Sequence, residues 1–422
     1  MAADRLVMQI YDYDKVKDEI VGSMRFHLKD FIEKGRSGDF FWKNIYGAPL
    51  DKHGSHTDRM NANPEYASLW KGRILMQVVS EITDKPLLQR IRADGEAQKQ
   101  AQAYMQQKEY LILAEVSQGV CLPSDSKYKV RIRIADCEMT TDKPNYRNNG
   151  YCFWNHRFKE TVYKAPYKNV AKIGKVFVYL LDGDDAICYF KGDAKDFTNP
   201  NAQLQWVPLV NDRSVGDVSK AYRAGMLSFK LTIHDLSTGP LDVKSLPEWN
   251  SRLPDRPASF KARCYIFQCK ELPAADSNGT SDPYIEVWSP HGEAEERRTK
   301  VVEDNINPIF YGCVEVMFYA LDLKTAPPMV LEIYDHDDSA FDANDYIGRS
   351  CIDVSDPPFT LAAQGRAHLA RRHCPDPQLA PCEVQLRQGR ADNGSDFGVF
   401  LDRAARLQVQ ADPAAAPNQV AS

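Results

Sequence analysis

The sequence lacks a long apolar run. No stretch approaches the roughly 18 consecutive apolar residues that indicate a membrane span, and the N-terminal MAADRLVMQIYDYD has no basic segment followed by an apolar one. Neither a transmembrane helix nor a secretory signal is therefore predicted within it. Long runs of one charge are also missing, and the net charge of −5 argues against a polyanion-binding surface. We expect no nucleic-acid partner.

Paired CxxC motifs are absent, although the chain has ten cysteines. Most lie in apolar runs, which is typical of reduced core thiols in a cytosolic protein. The cluster of His368, His373, Cys374 and Cys382 fits no common zinc finger by its spacing. No GxGxxG loop, HExxH, GxSxG elbow or P-loop is present either, so we do not expect an enzyme.

Short runs of alternating apolar and polar residues dominate the chain, rich in Val, Ile, Tyr and Phe and separated by turn-forming residues. This pattern predicts an all-β fold of tandem antiparallel β-sandwiches. Changes in composition divide the chain into half a sandwich, a helical linker, a degenerate sandwich, an extended Pro-rich linker, a third sandwich and a disordered tail. The boundaries are 1–83, 84–108, 109–236, 237–257, 258–365 and 366–422.

One element repeats in all three β segments: an apolar strand runs into a group of aspartates and then into a second strand. The copies are IYDYDKVKDEIVGS at 10–23, YLLDGDDAICYF at 179–190 and IYDHDDSAFDANDYIGRS at 333–350. Carboxylates this close repel one another, and a hard dication with oxygen ligands offsets the repulsion. The third segment also has an earlier acidic loop at 272–288. Its two loops together offer five candidate Ca²⁺ ligands: Asp276, Asp282, Asp335, Asp337 and Asp345.

Aspartates in such loops have two other common uses. Any single loop Asp is commonly a turn-capping residue, but five at these positions are harder to explain in that way. An EF-hand counted from Asp335 would need Gly at Ala340 and Glu at Tyr346, so the spacing excludes it.

The motif LPAADSNGTSDPY, followed by NPIF at 307–310 and by EIYDHD with DYIG at 345–348, resembles a C2 domain. FWKNIYGAPLD with WKGRILMQVV, then GYCFWNHRF, then the entry DRPASFKARCYIFQCKELPAADSNG resemble consecutive pieces of the central region of ferlins, over roughly residues 4–355. The resemblance implies C2 sandwiches acting in Ca²⁺-linked membrane fusion, repair or vesicle trafficking on the cytoplasmic face of membranes. It also implies fusion-machinery proteins as partners and a transmembrane anchor outside this sequence.

The sequence departs from the C2 pattern in two of its three segments. The middle domain keeps Asp125 in its first loop and a shortened third loop with Asp182, Asp184 and Asp185, which predicts the loss of strong Ca²⁺ binding. The first segment offers only a partial metal site, because its aspartates have no first-loop partners. That partial site consists of Asp12, Asp14 and Asp18.

In the third domain, Asp342 competes with Asp345 for the last ligand position, because the loop is longer than usual. Phe341 lies between the carboxylate groups of this loop. We expect it to enter the acyl boundary of an anionic phospholipid membrane once Ca²⁺ is bound. The alternative is a ring folded back on its own sandwich. The competing function for the whole chain is a Ca²⁺-independent protein–protein scaffold.

Half a sandwich leaves unpaired strand edges and an open core, so residues 1–83 should not be stable alone. We expect the natural protein to continue upstream. The tail after residue 366 has no recognisable closing strand for the third domain and no membrane anchor. Both ends therefore suggest a truncated or mis-assembled gene model.

Overall fold

The structure is a computed structural model, and antiparallel β-sheets form most of it, as the alternating pattern predicts. Among the described residues, no helix is long and apolar enough to span a bilayer. The described ranges are 5–13, 18–27, 39–49, 54–78, 95–123, 126–211, 224–251, 256–276, 278–292, 295–322, 324–337, 344–354 and 406–411.

The first segment forms one four-stranded sheet in chain order. Its elements are β1 (Arg5–Asp12), β2 (Glu19–His27), β3 (Phe40–Gly47), helix α1 (Ser55–Ala62) and β4 (Leu69–Gln77). One face gathers apolar side chains around the buried Met24 and Phe26. The opposite face packs on the middle domain through Tyr46 and Trp70. The predicted half sandwich is thus a single sheet that another domain covers on one side.

Polar contacts hold this sheet to the middle domain. The Asn44 Nδ2 donates to the carbonyl of Ile173 at 2.9 Å, and the Tyr167 hydroxyl donates to Asn44 Oδ1 at 2.6 Å. The half-buried Lys191 ammonium donates to three carbonyls of the segment between α1 and β4, at Pro64, Glu65 and Ala67. The first sheet is therefore attached by specific hydrogen bonds as well as by apolar burial.

Helix α2 (Gly95–Ala103) lies in the predicted helical linker, and the middle domain begins with β5 directly after it. The middle domain is a sandwich of two antiparallel sheets, ordered β13-β15-β5-β9-β8 with β10 also on β5, and β14-β12-β11-β6-β7. Its elements are β5 (Lys108–Val120), β6 (Lys129–Ile134), β7 (Cys137–Thr140), β8 (Tyr146–Asn148), β9 (Tyr151–Arg157), β10 (Thr161–Ala165), α3 (Val170–Ile173), β11 (Lys175–Asp182), β12 (Asp185–Asp193), β13 (Gln205–Pro208), β14 (Val210–Asn211) and β15 (Met226–Asp235).

Alternation explains how these strands fill the core. In β6, Val130, Ile132 and Ile134 are buried while the intervening basic residues are more exposed. Successive side chains of a strand point to opposite faces, so this order puts the apolar half inside.

The linker after β15 is packed rather than free, in contrast to the extended segment predicted for it. It contains 3₁₀ turns at Leu236–Thr238 and Val243–Ser245 and the short helix α4 (Pro247–Asn250). Trp249 is buried against the middle domain, and the Lys230 ammonium lies 4.4 Å from the centre of its ring. The prolines suggested an exposed chain, but the segment packs because the apolar side chain of Trp249 lies between them.

The third domain has two three-stranded sheets, ordered β18-β16-β21 and β17-β19-β20. Its strands are β16 (Ala258–Gln268), β17 (Pro283–Val287), β18 (Ile309–Ala320), β19 (Met329–Asp335), β20 (Tyr346–Ile352) and β21 (Arg406–Ala411). Apolar side chains of both sheets, such as Ile266 and Leu331, meet in one core.

Strand β21 pairs antiparallel with β16, from Phe260 opposite Ala411 to Tyr265 opposite Arg406. The sequence analysis predicted no strand beyond residue 366, and at this position that expectation is wrong. Six residues of alternation within an Ala-, Arg- and Gln-rich tail carry little periodic signal, and their pairing depends on a distant partner.

Candidate functional site

Three loops meet at one end of the third domain, and this end contains all five predicted ligands. The loop after β16 is tied to the loop before β18 by a hydrogen bond from the Leu272 amide to the Ile306 carbonyl, 2.9 Å long. It is tied to the loop after β19 by a bond from the His336 amide to the Asp282 carbonyl, 3.0 Å long. The backbone thus brings together segments that are far apart in the chain.

The buried centre of this end is Asp335, the last residue of β19, which is 2% exposed. Its carboxylate accepts the backbone N–H of Asp282, and its own amide donates to the Asp345 carbonyl at 2.8 Å. Burial, and then repulsion from Asp276, Asp337 and Asp282, raises the pKa of Asp335. An ionised carboxylate here is costly unless a cation compensates for it.

Asp276 belongs to the same group of charges. Its pKa is raised by desolvation and then by repulsion from Asp282, Asp337, Asp304 and Asp345. Hydrogen bonds between the loops place these carboxylates at one end of the domain, where their charges repel one another. The structure therefore brings together the aspartates that the two sequence motifs supply.

Asp304 is a member of this group that the sequence analysis did not identify. Its backbone N–H donates to Asp282 Oδ1 at 2.7 Å. Its carboxylate accepts from Asn278 Nδ2 and from Thr280 Oγ1, each at 3.0 Å. It has φ of +50°, a conformation in which Asp is over-represented. The run Glu303-Asp304-Asn305 before NPIF was the only sequence signal for it.

Asn344 closes the third loop and was also missed. Its Oδ1 accepts the Asp337 amide at 3.1 Å, while its Nδ2 donates to the Tyr284 hydroxyl at 2.8 Å. The two described ends of this loop are therefore pinned together. Phe341 and Asp342 lie outside the described residues, so their predicted roles stay predictions.

The carboxylates converge without being preassembled as ligands. Within the described ranges, no three His, Cys, Asp or Glu side chains are already arranged to hold a metal ion. The set contains only oxygen donors near the loops, which is the donor chemistry of a hard cation such as Ca²⁺.

An exposed apolar group flanks this end of the domain. A bulge places Phe310 and Tyr311 opposite Phe267, and Tyr311 has φ of +44°, unusual for an aromatic residue. The Tyr311 ring is 78% exposed and packs edge-on against Phe267, with Ile309 beside it 55% exposed.

The other predicted carboxylates occupy different settings. In the middle domain, Asp182 pairs with Asp185 across a two-residue turn that contains Gly183 and Asp184, and Asp182 Oδ1 accepts from the Ser126 hydroxyl at 2.7 Å. Asp125 lies outside the described residues. The weak Ca²⁺ binding expected of this domain stays a prediction.

In the first sheet, Asp12 ends β1 opposite Glu19. Asp18 is exposed before β2, and Asp14 lies outside the described residues. Nothing in this arrangement tests the partial metal site, which also stays a prediction.

Parts of this chain are similar to known proteins. The C2 domain family model matches residues 1–43 and 260–369. Fer-1-like protein 4 of Mus musculus is 32% identical over 100 residues, 24% of this chain and 5% of that protein. Myoferlin of Homo sapiens is 25% identical over 197 residues, 46% of this chain and 8% of that protein. The chain thus spans less than a tenth of the length of either ferlin.

Among solved structures, the SMP, C2A and C2B domains of extended-synaptotagmin 2 match at 15% identity and a TM-score of 0.25, covering 80% of this chain and 63% of that one. The family match falls on the first sheet and on the domain with the convergent aspartates. These findings support a ferlin-like protein with C2-type sequence in its first and third segments.

Proposed function

We propose that the third domain binds Ca²⁺ through Asp276, Asp282, Asp335, Asp337 and Asp345, and that the bound ion docks it on anionic phospholipid membranes. The observation that carries the proposal is geometric: hydrogen bonds bring the three acidic loops together around the carboxylate of Asp335, which is 2% exposed. Such a site holds unfavourable negative charge that a divalent cation would neutralise.

Charge compensation also supplies the link to membranes. Without an ion, the loop end repels anionic headgroups. A Ca²⁺ ion held by aspartates can accept phosphate oxygens at its remaining coordination positions and reverses the local sign. Membrane binding would then require Ca²⁺ and anionic lipid together.

The exposed apolar group adds a contact that does not depend on charge. Tyr311 and Ile309 lie beside the loops, at the end that would face the lipid. Tyrosine suits the bilayer interface, because its ring is apolar and its hydroxyl stays hydrated. Burial of such a side chain contributes about 1.5–3 kcal/mol, which supplements the ion but does not replace it. Phe341 is the third candidate for insertion.

In the wider setting, the ferlin-like organisation supports a role in vesicle trafficking, membrane fusion or repair. The proposed location is the cytoplasmic face of a membrane, with an anchor supplied by a longer protein and with fusion-machinery proteins as partners. We propose no enzymatic activity.

Sedimentation of the whole chain with phosphatidylserine vesicles tests this proposal. Binding should need Ca²⁺, and the double variant Asp335→Asn, Asp337→Asn should lose it, because two of the charges that attract the ion are gone. The matched control is Asp182→Asn with Asp184→Asn in the middle domain, which should bind as the wild type does. Vesicle binding of equal strength in chelator would overturn the proposal.

The alternative, a Ca²⁺-independent scaffold, is favoured by the middle domain. Its third loop is a two-residue turn between Asp182 and Asp185, too short to surround an ion. Binding to another protein that is unchanged by chelator would support that function for this domain.

A further inference from the structure

The hairpin that presents Asp335, Asp337 and Asp345 has a second face, away from its own core. Leu331 and Ile333 of β19 enter the core of the third domain. Val330 and Glu332 alternate with them, and both are nevertheless buried. Val330 packs with residues of the middle domain.

An ion pair between a buried glutamate and a partly buried arginine lies at this contact. Glu332 of β19 is 1% exposed and faces Arg349 of β20 in the strand register, with Nη2 and Oε1 2.6 Å apart. The Cys121 thiol of the middle domain lies 3.8 Å from Arg349 Nη2 and 4.0 Å from Glu332 Oε1. The Tyr334 hydroxyl also donates to Glu332, at 3.1 Å.

Apolar and polar contacts surround the pair. Trp288 of the third domain packs in one cluster with Tyr151, Phe153 and Met226 of the middle domain. Across the same boundary, the Asn148 amide donates to the Pro290 carbonyl at 2.9 Å.

Two further hydrogen bonds cross the boundary. Trp206 Nε1 donates to the Thr325 carbonyl at 3.2 Å, and the hydroxyls of Tyr146 and Tyr319 are 2.9 Å apart. With the packed linker, this gives the two domains a continuous interface.

The ion pair connects this interface to the acidic loops through rigid backbone. Glu332 precedes Asp335 in the same strand, and Arg349 follows Asp345 shortly after β20 begins. Separating the domains would hydrate Arg349 and Glu332. It would also loosen the stem of the β19–β20 hairpin, the paired strands from which the loop carboxylates extend. Packed strands shift as units rather than residue by residue.

We infer that the middle domain braces the stem of the β19–β20 hairpin, so that closure of this interface and Ca²⁺ occupancy of the loops favour each other. The inference rests on the proposed function of the third domain. Coupling of two such events is reciprocal, because each must change the equilibrium of the other by the same factor. The inference gives the middle domain a role for which it does not need to bind an ion itself.

Cys121 supplies a native probe. Its thiol is fully buried at the boundary and reacts with a small maleimide only when the interface opens. Labelling of the whole chain is followed by mass spectrometry with and without Ca²⁺. Three buried thiols serve as internal controls: Cys152 and Cys188 in the middle-domain core and Cys269 in the third-domain core.

Ca²⁺ should slow the labelling of Cys121 by about fivefold or more, the lower range of typical couplings, and leave Cys152 and Cys188 unchanged. Asp335→Asn with Asp337→Asn should abolish the effect. Arg349→Met should speed Cys121 labelling and weaken Ca²⁺ binding, and Arg349→Lys should restore part of both, because it retains the charge.

Calorimetry on the same samples separates the two proposals. Ca²⁺ binding with an unchanged Cys121 rate would overturn the brace and leave the proposed function standing. A Cys121 rate that falls only in parallel with Cys152, Cys188 and Cys269 would mean global stabilisation and would also overturn it. If calorimetry detects no Ca²⁺ binding, both proposals fail.

Discussion

The backbone amide of Asp304 donates to the carboxylate of Asp282 at 2.7 Å. This bond connects the loop before β18 to the loop after β16 in the third domain. Asp304 in turn accepts from Asn278 and Thr280, so it orders the loop that carries Asp276. Order in this loop lowers the entropy that Ca²⁺ binding would have to overcome.

Asp304→Ala should therefore weaken Ca²⁺ binding about three- to tenfold, since each hydrogen bond contributes about 1 kcal/mol and a negative charge is also lost. Asp304→Asn keeps an acceptor oxygen and should show a smaller loss, due to charge alone. Glu303→Gln is the control for charge at an adjacent exposed position. Equal affinities in all three variants would show that Asp304 does not organise the loop.

The raised pKa values of Asp276 and Asp335 predict a pH dependence of stability. A carboxyl whose folded-state pKa is raised adds stability below its unfolded pKa, about 3.9, and this is lost as the pH rises through the folded value. We therefore compare the protection of β19 amides from hydrogen exchange in wild type and in Asp335→Asn, without Ca²⁺. As the pH falls from 7 towards 4, this protection should increase in wild type relative to the variant. With saturating Ca²⁺ the trend should reverse, because protons compete with the ion. A wild-type-to-variant difference that is independent of pH would contradict this assignment.

The exposed ring of Tyr311 predicts a contribution to vesicle binding. Tyr311→Ser should weaken binding to phosphatidylserine vesicles roughly tenfold, because about 1.5 kcal/mol of apolar burial is lost, and should leave Ca²⁺ binding in solution unchanged. Val162→Ser, at a half-exposed apolar position of the middle domain, is the control. Equal vesicle binding by Tyr311→Ser and wild type would show that the Tyr311 side chain does not contribute to membrane binding.

Lys191 predicts how firmly the first sheet is attached. Its ammonium donates to three carbonyls at 2.7–3.1 Å, and burial lowers its pKa to about 8. Lys191→Met keeps the apolar stem but leaves those carbonyls without their donor, at a cost of about 1–3 kcal/mol. Amides of β3 and β4 should then exchange faster, while the exposed control Lys195→Met should not change them. Unaltered exchange in Lys191→Met would mean that apolar packing alone holds the sheet.

The β-strands and the acidic loops were predictable because their signals are local. Alternation in strands such as β6 marks the buried face, and an Asp-x-Asp at the end of β19 places both carboxylates at the exit of a strand. Asp335, Asp337 and the remaining predicted ligands accordingly meet at one end of the third domain.

The features that were missed depend on contacts between distant segments. Asp304 acts through a loop that no local pattern connects to Asp282, and the burial of Glu332 results from a domain interface. Trp249 packs on the middle domain and holds a segment that was predicted to be extended because of its prolines. Strand β21 pairs with a strand more than a hundred residues earlier in the chain. All of these features depend on tertiary contacts, which the local propensities of the residues do not reflect.

The most direct test of the account is a calorimetric titration of the whole chain with Ca²⁺ in the absence of lipid. Wild type should bind at the third domain, and the Asp335→Asn, Asp337→Asn double variant should not, while Asp182→Asn with Asp184→Asn should bind as wild type does. Equal heats and affinities in wild type and in the third-domain double variant would contradict the central claim that these aspartates form the Ca²⁺ site.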